Sequence, residues 1–312
     1  MPAGDSFFDP RLIGLNGVAF LDQAKIDEAL LRLLPNARLS KGSFTFPSRA
    51  ELRDLAWNHM DQNHRPHIHN TYGEAARVFI DRHASFALTR YGRWPIAIPV
   101  FDGYFRDNGF YQVMVLFGVI VVVVVIECNV DDKGETRMDV NWTIASHRWL
   151  RFLHPILSRR IERLNDVQNR EDDPIRDRRV ELRAADYRFT TDAPDFYNSN
   201  VIGNNVEFPA YRGSHTLSIR EIPEGGLRRE RVGDRAYILR RTGQSLEVWP
   251  GVCPHEGASL DVGNVDGRMV RCPWHGLEFG PRRLGAGAST AVVCGALLEL
   301  EGDRLSIRPA PG

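Results

Sequence analysis

The chain has 312 residues, 43% of them hydrophobic, enough to bury two ordinary cores, and its 40 basic residues balance 40 acidic ones. That balance gives no reason to expect nucleic acid or an anionic membrane surface as an obligate partner. The N-terminal sequence MPAGDSFFDP has neither the basic segment nor the apolar core of a signal peptide, and four cysteines make no disulfide framework, so the expected setting is cytoplasmic and reducing.

Residues 24–34, AKIDEALLRLL, place Ile26, Leu30, Leu33 and Leu34 at helical spacing, with Pro35 as the stop. A second helix is expected from about 48 to 63, because Ser48 suits the cap, Glu51 falls three residues on, and Leu52, Leu55 and Ala56 share a face. From about 86 to 145 β-branched and aromatic residues dominate. Turn signals at Phe101-Asp102-Gly103, Asp107-Asn108-Gly109 and Asp131-Asp132-Lys133-Gly134 divide them into an antiparallel meander of about five strands. The most apolar run, 113–126, is Val-rich and interrupted by Gly118, so it is too short for a membrane span and fits one bent strand or two buried ones. Cys128 beyond it and Cys294 read as buried free thiols.

The period then changes. Trp149, Leu150, Leu153, Ile156, Leu157, Ile161 and Leu164 predict an amphipathic helix over 147–167, with Pro155 as a kink or restart, and a further helix from Pro174 to about 185. Sheet followed by long helix, with helices before it, suggests a sheet gripping a helix around a pocket. The composition loosens at Asn198-Ser199-Asn200 and Gly203-Asn204-Asn205, which divides the chain into 1–200 and 201–312. Beyond that point short alternating strands at 217–219, 236–239, 246–249, 297–300 and 305–307 predict a small all-β domain.

Inside that domain lies CPHEGASLDVGNVDGRMVRCPWH. Cys253-x-His255 and Cys272-x-x-His275 are separated by sixteen residues, so each of two short loops offers one thiolate and one imidazole. A Cys2His2 set can hold tetrahedral zinc, and it is also what a [2Fe-2S] cluster with two Cys on one iron and two His on the other needs. Gly257, Gly263 and Gly276 supply turns, and Pro254 and Pro273 stiffen the loops, as a cluster clamped between two loop tips requires. The segment resembles the Rieske domain of ferredoxins and oxygenases. High-potential members of that family carry an extra, disulfide-bonded cysteine in each loop; here Ala258 and Trp274 stand there. The resemblance therefore implies the lower end of a range of roughly −150 to +300 mV.

Four of the ten histidines fall between residues 59 and 69. In Asp61-x-x-His64-x-x-x-x-His69, Asp61 and His64 are expected one turn apart on one helix face, with Pro66 breaking the helix before His69. Two imidazoles and a distant carboxylate make the facial triad of a non-haem Fe(II) site. With Asn58 included, the pattern resembles the mononuclear-iron motif of Rieske non-haem iron oxygenases, whose catalytic domain has a helix-grip, START-like fold. That family's third ligand is an Asp in a phrase like E/Q-D-x-P-I. Glu171-Asp172-Asp173-Pro174-Ile175 matches it, so the resemblance implies His64, His69 and Asp172 as iron ligands, with His67 and His59 as rivals. Asp173 before Pro174 suits a helix N-cap, which leaves Asp172 for metal.

The expected fold is therefore α+β, a helix-grip catalytic domain followed by a small all-β Rieske domain, the reverse of the family's usual order. The resemblance implies an oxygenase that uses O2 and electrons from the cluster to oxidise, most simply to hydroxylate, a partly apolar small organic substrate. Asp61 would bridge a cluster histidine to His64. With no G-x-G-x-x-G after a strand and no flavin motif, the electrons would come from a separate ferredoxin or reductase. The family also implies a homotrimer in which electrons pass between neighbouring subunits, and the segment 192–206, at most about 50 Å long when extended, permits transfer within or between chains. The rival is a non-enzymatic Rieske electron carrier fused to a ligand-binding helix-grip domain.

Overall fold

The computed structural model describes residues 23–310, apart from 62, 81–83, 94, 107–108, 133–134, 193–202, 233–234, 286 and 288. The expected turns at 107–109 and 131–134 and the loosening at 198–200 fall wholly or partly outside them. The first half of the chain contains α1 (Gln23–Leu33), β1 (Ala37–Ser48), α2 (Leu52–Met60), α3 (Arg65–Ile68), β2 (Tyr72–Ile80), β3 (Ala84–Tyr91), β4 (Ala97–Arg106), β5 (Gly109–Leu116), β6 (Ile120–Val130) and β7 (Thr136–His147). A 3-10 segment, Arg148–Leu153, leads into α4 (His154–Ala184). Two compact units result: the chain up to Ser48 with Gly73–Gln168, and Arg49–Tyr72 with Asn169–Gly312.

The first unit is a seven-stranded antiparallel sheet in the order β1-β7-β6-β5-β4-β3-β2. The five-stranded meander is there as β3 to β7. The apolar run resolves into two strands joined through Phe117 and Gly118, both at positive φ. Strand β6 is buried on both faces, which explains its unbroken apolar sequence. On one face Val121, Val123 and Val125 pack with Ile26 and Leu30 of α1; on the other Val122, Val124 and Ile126 pair with Ile144, Trp142 and Val140 of β7. Strand β1 pairs with β7 along all twelve of its residues. Gly42 stands opposite Trp142, where an added Cβ would lie 2.0 Å from the indole. His154 anchors the start of α4, its two ring nitrogens 2.8 Å from Ser40 Oγ and 2.7 Å from Ser146 Oγ.

Several expectations are corrected here. Ser48 is the last residue of β1 and not the N-cap of α2, which starts at Leu52 after Glu51, a residue that makes no side-chain cap. The twelve-residue pairing of β1 with β7 has claimed Ser48 for the sheet. Phe101-Asp102-Gly103 is not a turn but the middle of β4, with Gly103 leaving room for the Tyr111 ring; the turn comes after β3, where Gly92 has φ +60°. The two helices expected at 147–167 and 174–185 are one. Helix α4 runs through Pro174, which has no N–H to give the carbonyl one turn back, so Asp173 is not an N-cap. Pro155, by contrast, stands where a restart was expected: the 3-10 segment ends at Leu153 and α4 begins at His154, with Pro155 in the first turn, where a missing N–H costs nothing.

After α4 come β8 (Arg188–Phe189), β9 (Val206–Glu207), β10 (His215–Ser218), β11 (Leu227–Val232), β12 (Arg235–Thr242), β13 (Ser245–Pro250), β14 (Val265–Asp266), β15 (Met269–Arg271), β16 (Glu278–Phe279), β17 (Arg282–Leu284), β18 (Ser289–Val293), β19 (Ala296–Glu301) and β20 (Arg304–Pro309). Two four-stranded sheets, β11-β12-β13-β17 and β10-β20-β19-β18, share one core in which Tyr237, Leu239, Leu246 and Val248 meet Leu298, Leu300, Leu305 and Ile307. A three-stranded sheet, β14-β15-β16, joins the two cysteine loops. The five strands read from the sequence lie within β10 or its border, β12, β13, β19 and β20. No described helix is long and apolar enough to cross a membrane. The four cysteines are free thiols; Cys128 is buried as expected, while Cys294 is half-buried.

Candidate metal centres

The two cysteine loops are closed by the same pair of backbone bonds. Cys253 N–H donates to Ala258 O at 2.8 Å and accepts at its carbonyl from Gly257 N–H at 2.9 Å; Cys272 does so with Leu277 and Gly276 at 2.7 and 2.9 Å. Each ring closes through a glycine at positive φ, +91° at Gly257 and +66° at Gly276. Close approach restricts the same two positions: an added Cβ would lie 2.5 Å from Leu182 Cδ1 at the first and 2.8 Å from His67 Cε1 at the second. Pinned in this way, the loops bury Cys253, His255, Cys272 and His275 together. His255 Nδ1 and His275 Nδ1 stand 3.3 Å apart with their rings edge to face. Two bonds of about 2.1 Å to one tetrahedral metal ion span such a distance.

Asp61 joins this site to a second. His275 Nε2–H donates to Asp61 Oδ2 at 2.5 Å, and both side chains are buried. Burial resists a charge on His275, but the Asp61 carboxylate outweighs it and lifts the imidazole to about 10. The same field favours a metal ion at Nδ1. Asp61 itself is held well below the usual carboxylate range despite burial, by His275 first and then by His64.

His64 Nδ1 lies 3.5 Å from that same Asp61 oxygen. The geometry arises differently from the single helix face expected: α2 ends at Met60, Asp61 is its C-cap, and His64 and His69 flank the four-residue α3 as its N-cap and C-cap. Pro66 sits in the first turn of α3 and breaks nothing. On α4, Asp172 points its Oδ1 at both rings, 3.3 Å from His64 Nε2 and 3.3 Å from His69 Nε2. One ligand atom from each of His64, His69 and Asp172 lies within 4.8 Å of the others, all three residues being buried. His64 Nε2 and Asp172 Oδ1 have no hydrogen-bond partner, and a buried polar atom left so is costly unless a further group completes it. The donor set of two imidazoles and one carboxylate suits a mononuclear Fe(II) with open positions.

The supporting residues explain the rest of the two motifs. Glu171 Oε2 lies 3.0 Å from His69 Nδ1 and accepts its N–H, which leaves Nε2 toward Asp172. Arg176 bonds Asp172 Oδ2 at 3.3 Å and Asn58 Oδ1 at 2.7 Å, so Asn58 and the second carboxylate oxygen share one fully buried guanidinium. The histidine rivals stand elsewhere. His67 is exposed and lies against Gly276; His59 is pulled down to about 3 by burial and by Arg176.

A further set went unread in the sequence. Arg179, fully buried, donates to Asp54 Oδ1 at 2.7 Å and to Glu256 Oε2 at 2.9 Å, between the rings of Trp57 and Phe189. Arg183 bonds Asp54 and Asp192. Burial raises Glu256 to about 7, with Arg179 opposing. Their only signal is the recurrence of arginines at 176, 179 and 183, which places them on one helix stripe. Trp274, in the position of a family cysteine, packs on Trp57 at a ring distance of 5.9 Å.

Comparison with known proteins bears on the C-terminal part. A curated relative, Ferredoxin CarAc of Metapseudomonas resinovorans, is 35% identical over 60 residues, 19% of this chain and 56% of that protein, so the chain spans about half the length of the relative it matches. Similar solved structures include the Zhui aromatase/cyclase of Streptomyces sp. R1128, with a TM-score of 0.39 at 8% identity, covering 46% of this chain and 96% of that one. Truncated norcoclaurine synthase of Thalictrum flavum gives 0.36 at 7% identity, covering 42% of this chain and 92% of that one. The model of the Rieske [2Fe-2S] domain matches residues 215–292. The chain thus carries at its C-terminal end a Rieske [2Fe-2S] domain, with that domain's capacity for iron-sulfur electron transfer.

Proposed function

We propose that the chain is an oxygenase of the Rieske non-haem iron type, which uses O2 and externally supplied electrons to oxidise a partly apolar small organic substrate. The observation that carries this reading is the buried convergence of His64, His69 and Asp172, with Asp61 in contact with both His64 and the cluster-loop residue His275. A bound [2Fe-2S] cluster would supply single electrons, and a bound Fe(II) with open positions would supply O2 activation. The protein's own part is to hold and orient. Cys253 and Cys272 would take one cluster iron, His255 and His275 the other. Asp61 accepts the Nε2 proton of His275 and so keeps Nδ1 for metal; Glu171 does the same for His69 with the nitrogens exchanged. Arg176 fixes the orientation of Asp172 through its other oxygen. The electron donor would be a separate ferredoxin or reductase.

The similarity to a ferredoxin favours a second reading, an electron carrier without a mononuclear iron. A metal count after anaerobic Fe(II) loading decides between them. The oxygenase reading expects three irons per chain, and two in Asp172→Ala with the cluster spectrum unchanged, because the cluster draws no ligand from Asp172. Two irons in the wild type would establish the carrier instead.

A further inference from the structure

We infer that the end of the sheet where β7 gives way to α4 is a docking surface for an anionic lipid bilayer, entered by Phe117, Trp149, Phe152 and Ile156 and held by the arginines around them. The surface lies within the first unit, and the inference does not depend on either metal centre.

The strand register brings three segments to this end. Leu116 pairs with Ile120 across the turn Phe117-Gly118-Val119, and Ile120 pairs with Ser146, so the turn projects beside the last residues of β7. Neighbouring strands lie about 4.8 Å apart, which puts the turn next to the 3-10 segment Arg148–Leu153. On the other side Ala37 pairs with His147, and Arg148 N–H bonds Asn36 O at 3.1 Å, so the end of α1 joins the same edge.

The amphipathic pattern over 147–167 divides here. Leu153, Leu157, Ile161 and Leu164 are buried or half-buried, whereas Trp149, Phe152 and Ile156 are 71%, 70% and 62% exposed. A 3-10 helix has three residues per turn, so Trp149 and Phe152 stand on one side of it, and Ile156 follows one α-helical turn later. Phe117 is 69% exposed and Val119 47%. Phe117 is also held at φ +52°, a left-handed backbone that is costly for a bulky side chain, yet its ring gains little burial in return. One exposed apolar side chain is ordinary; five at one end of a sheet mark a surface that meets something else.

Charge selects the partner. Residues 29–40, 114–126 and 143–161, which build this end, contain six arginines and no aspartate or glutamate, although the chain as a whole is neutral. Arg32, Arg38, Arg148, Arg151, Arg159 and Arg160 are all exposed, and the Arg148 guanidinium lies 5.1 Å from the centre of the Trp149 ring. Aromatic rings flanked by arginine suit the headgroup layer of a membrane, with the rings toward the acyl chains and the guanidinium groups on lipid phosphate and carboxylate. A second copy of the chain fits less well, because a two-fold contact would set this arginine-rich, acid-free end against itself.

The test is sedimentation of the full-length holoprotein with sucrose-loaded vesicles of phosphatidylcholine containing about one quarter phosphatidylserine. The protein should pellet with these vesicles, far less with pure phosphatidylcholine, and be released by high salt. Phe152→Ser should weaken the binding by at least about tenfold, as expected for one large apolar side chain kept from burial, and Arg151→Gln by about fivefold. Phe117→Asn removes the ring at the tip of the turn but suits the left-handed backbone, so it should weaken binding with no loss of thermal stability. No pelleting with the anionic vesicles, equal pelleting with neutral ones, or pelleting that all three variants leave unchanged would overturn the inference. So would a wild type that ignores vesicles but self-associates in sedimentation equilibrium while Phe152→Ser stays monomeric; the surface would then join copies of the chain.

Discussion

Glu171 and His69 meet through a single hydrogen bond of 3.0 Å, from the ring Nδ1 to the carboxylate. The bond sets the tautomer of His69 and turns its Nε2 toward Asp172. Loss of such an outer partner typically weakens metal affinity by about 10–100-fold. At the proposed mononuclear site Glu171→Gln should therefore raise the Fe(II) dissociation constant by that factor while leaving the visible spectrum of the cluster unchanged. Competitive titration with a chelating dye reads the first quantity, and an unchanged affinity would reduce Glu171 to a surface acid.

Asp54 is a buried acid shared by Arg179 and Arg183. Burial alone would raise its pKa, but the two guanidinium groups hold it below the ordinary carboxylate value. Asp54→Asn keeps the shape and removes the charge, and loss of one partner from a buried ion pair costs about 3–5 kcal/mol. The urea midpoint of the second unit should fall accordingly. The pH dependence has a definite sign: the folded pKa is depressed, so this stabilisation is fully present above about pH 4 and is lost as pH falls through the lower, folded value. A variant as stable as wild type at pH 7 would remove the network from the account of how the loops are held.

His154 is buried, its two ring nitrogens bonded to Ser40 and Ser146, and burial, aided by Arg151, lowers its pKa below the usual 6.5. A neutral ring serves two hydroxyl partners, one as donor and one as acceptor. Below about pH 6.5 the unfolded chain takes up a proton that the folded one resists, so the stabilisation is complete above that pH and declines as pH falls toward the folded pKa. Denaturation of the first unit between pH 7.5 and 5 should show this decline. His154→Ala should flatten it and cost about 2 kcal/mol at neutral pH, roughly 1 kcal/mol for each hydrogen bond. An unaltered pH profile in the variant would mean another group titrates.

Much of this molecule is legible from periodicity and ligand spacing. The meander of β3 to β7 follows from alternating β-branched residues and turn signals, because each strand meets its neighbour nearby in sequence. Strand β1 is not legible in that way: its sequence ARLSKGSFTFPS looks like a loop until β7, about a hundred residues later, supplies twelve partners. Pro174 hides the continuity of α4, since a local rule that stops helices at proline is overridden by Asp172, Arg176, Arg179 and Arg183, which anchor both sides of it. The candidate ligands come from the resemblance of two short motifs to a known family, and residue type alone leaves the carboxylate open. The reason Asp61 reaches two sites could not be read, because it depends on where a histidine 214 residues away comes to rest.

The segment Arg49–Tyr72 packs with a unit whose remaining residues begin only at Asn169. During synthesis its side chains leave the ribosome long before their partners. At about 5–20 residues per second, the 214 residues between Asp61 and His275 take on the order of 10–40 s to make. Through that interval Trp57, Asp54 and the two candidate histidine ligands have neither the Trp274 ring nor the Glu256 loop to close over them. Assembly of the candidate cluster site is thereby tied to a late event, the arrival of the last third of the chain, and a nascent protein halted before it would present its histidines and apolar rings to whatever else the cell offers.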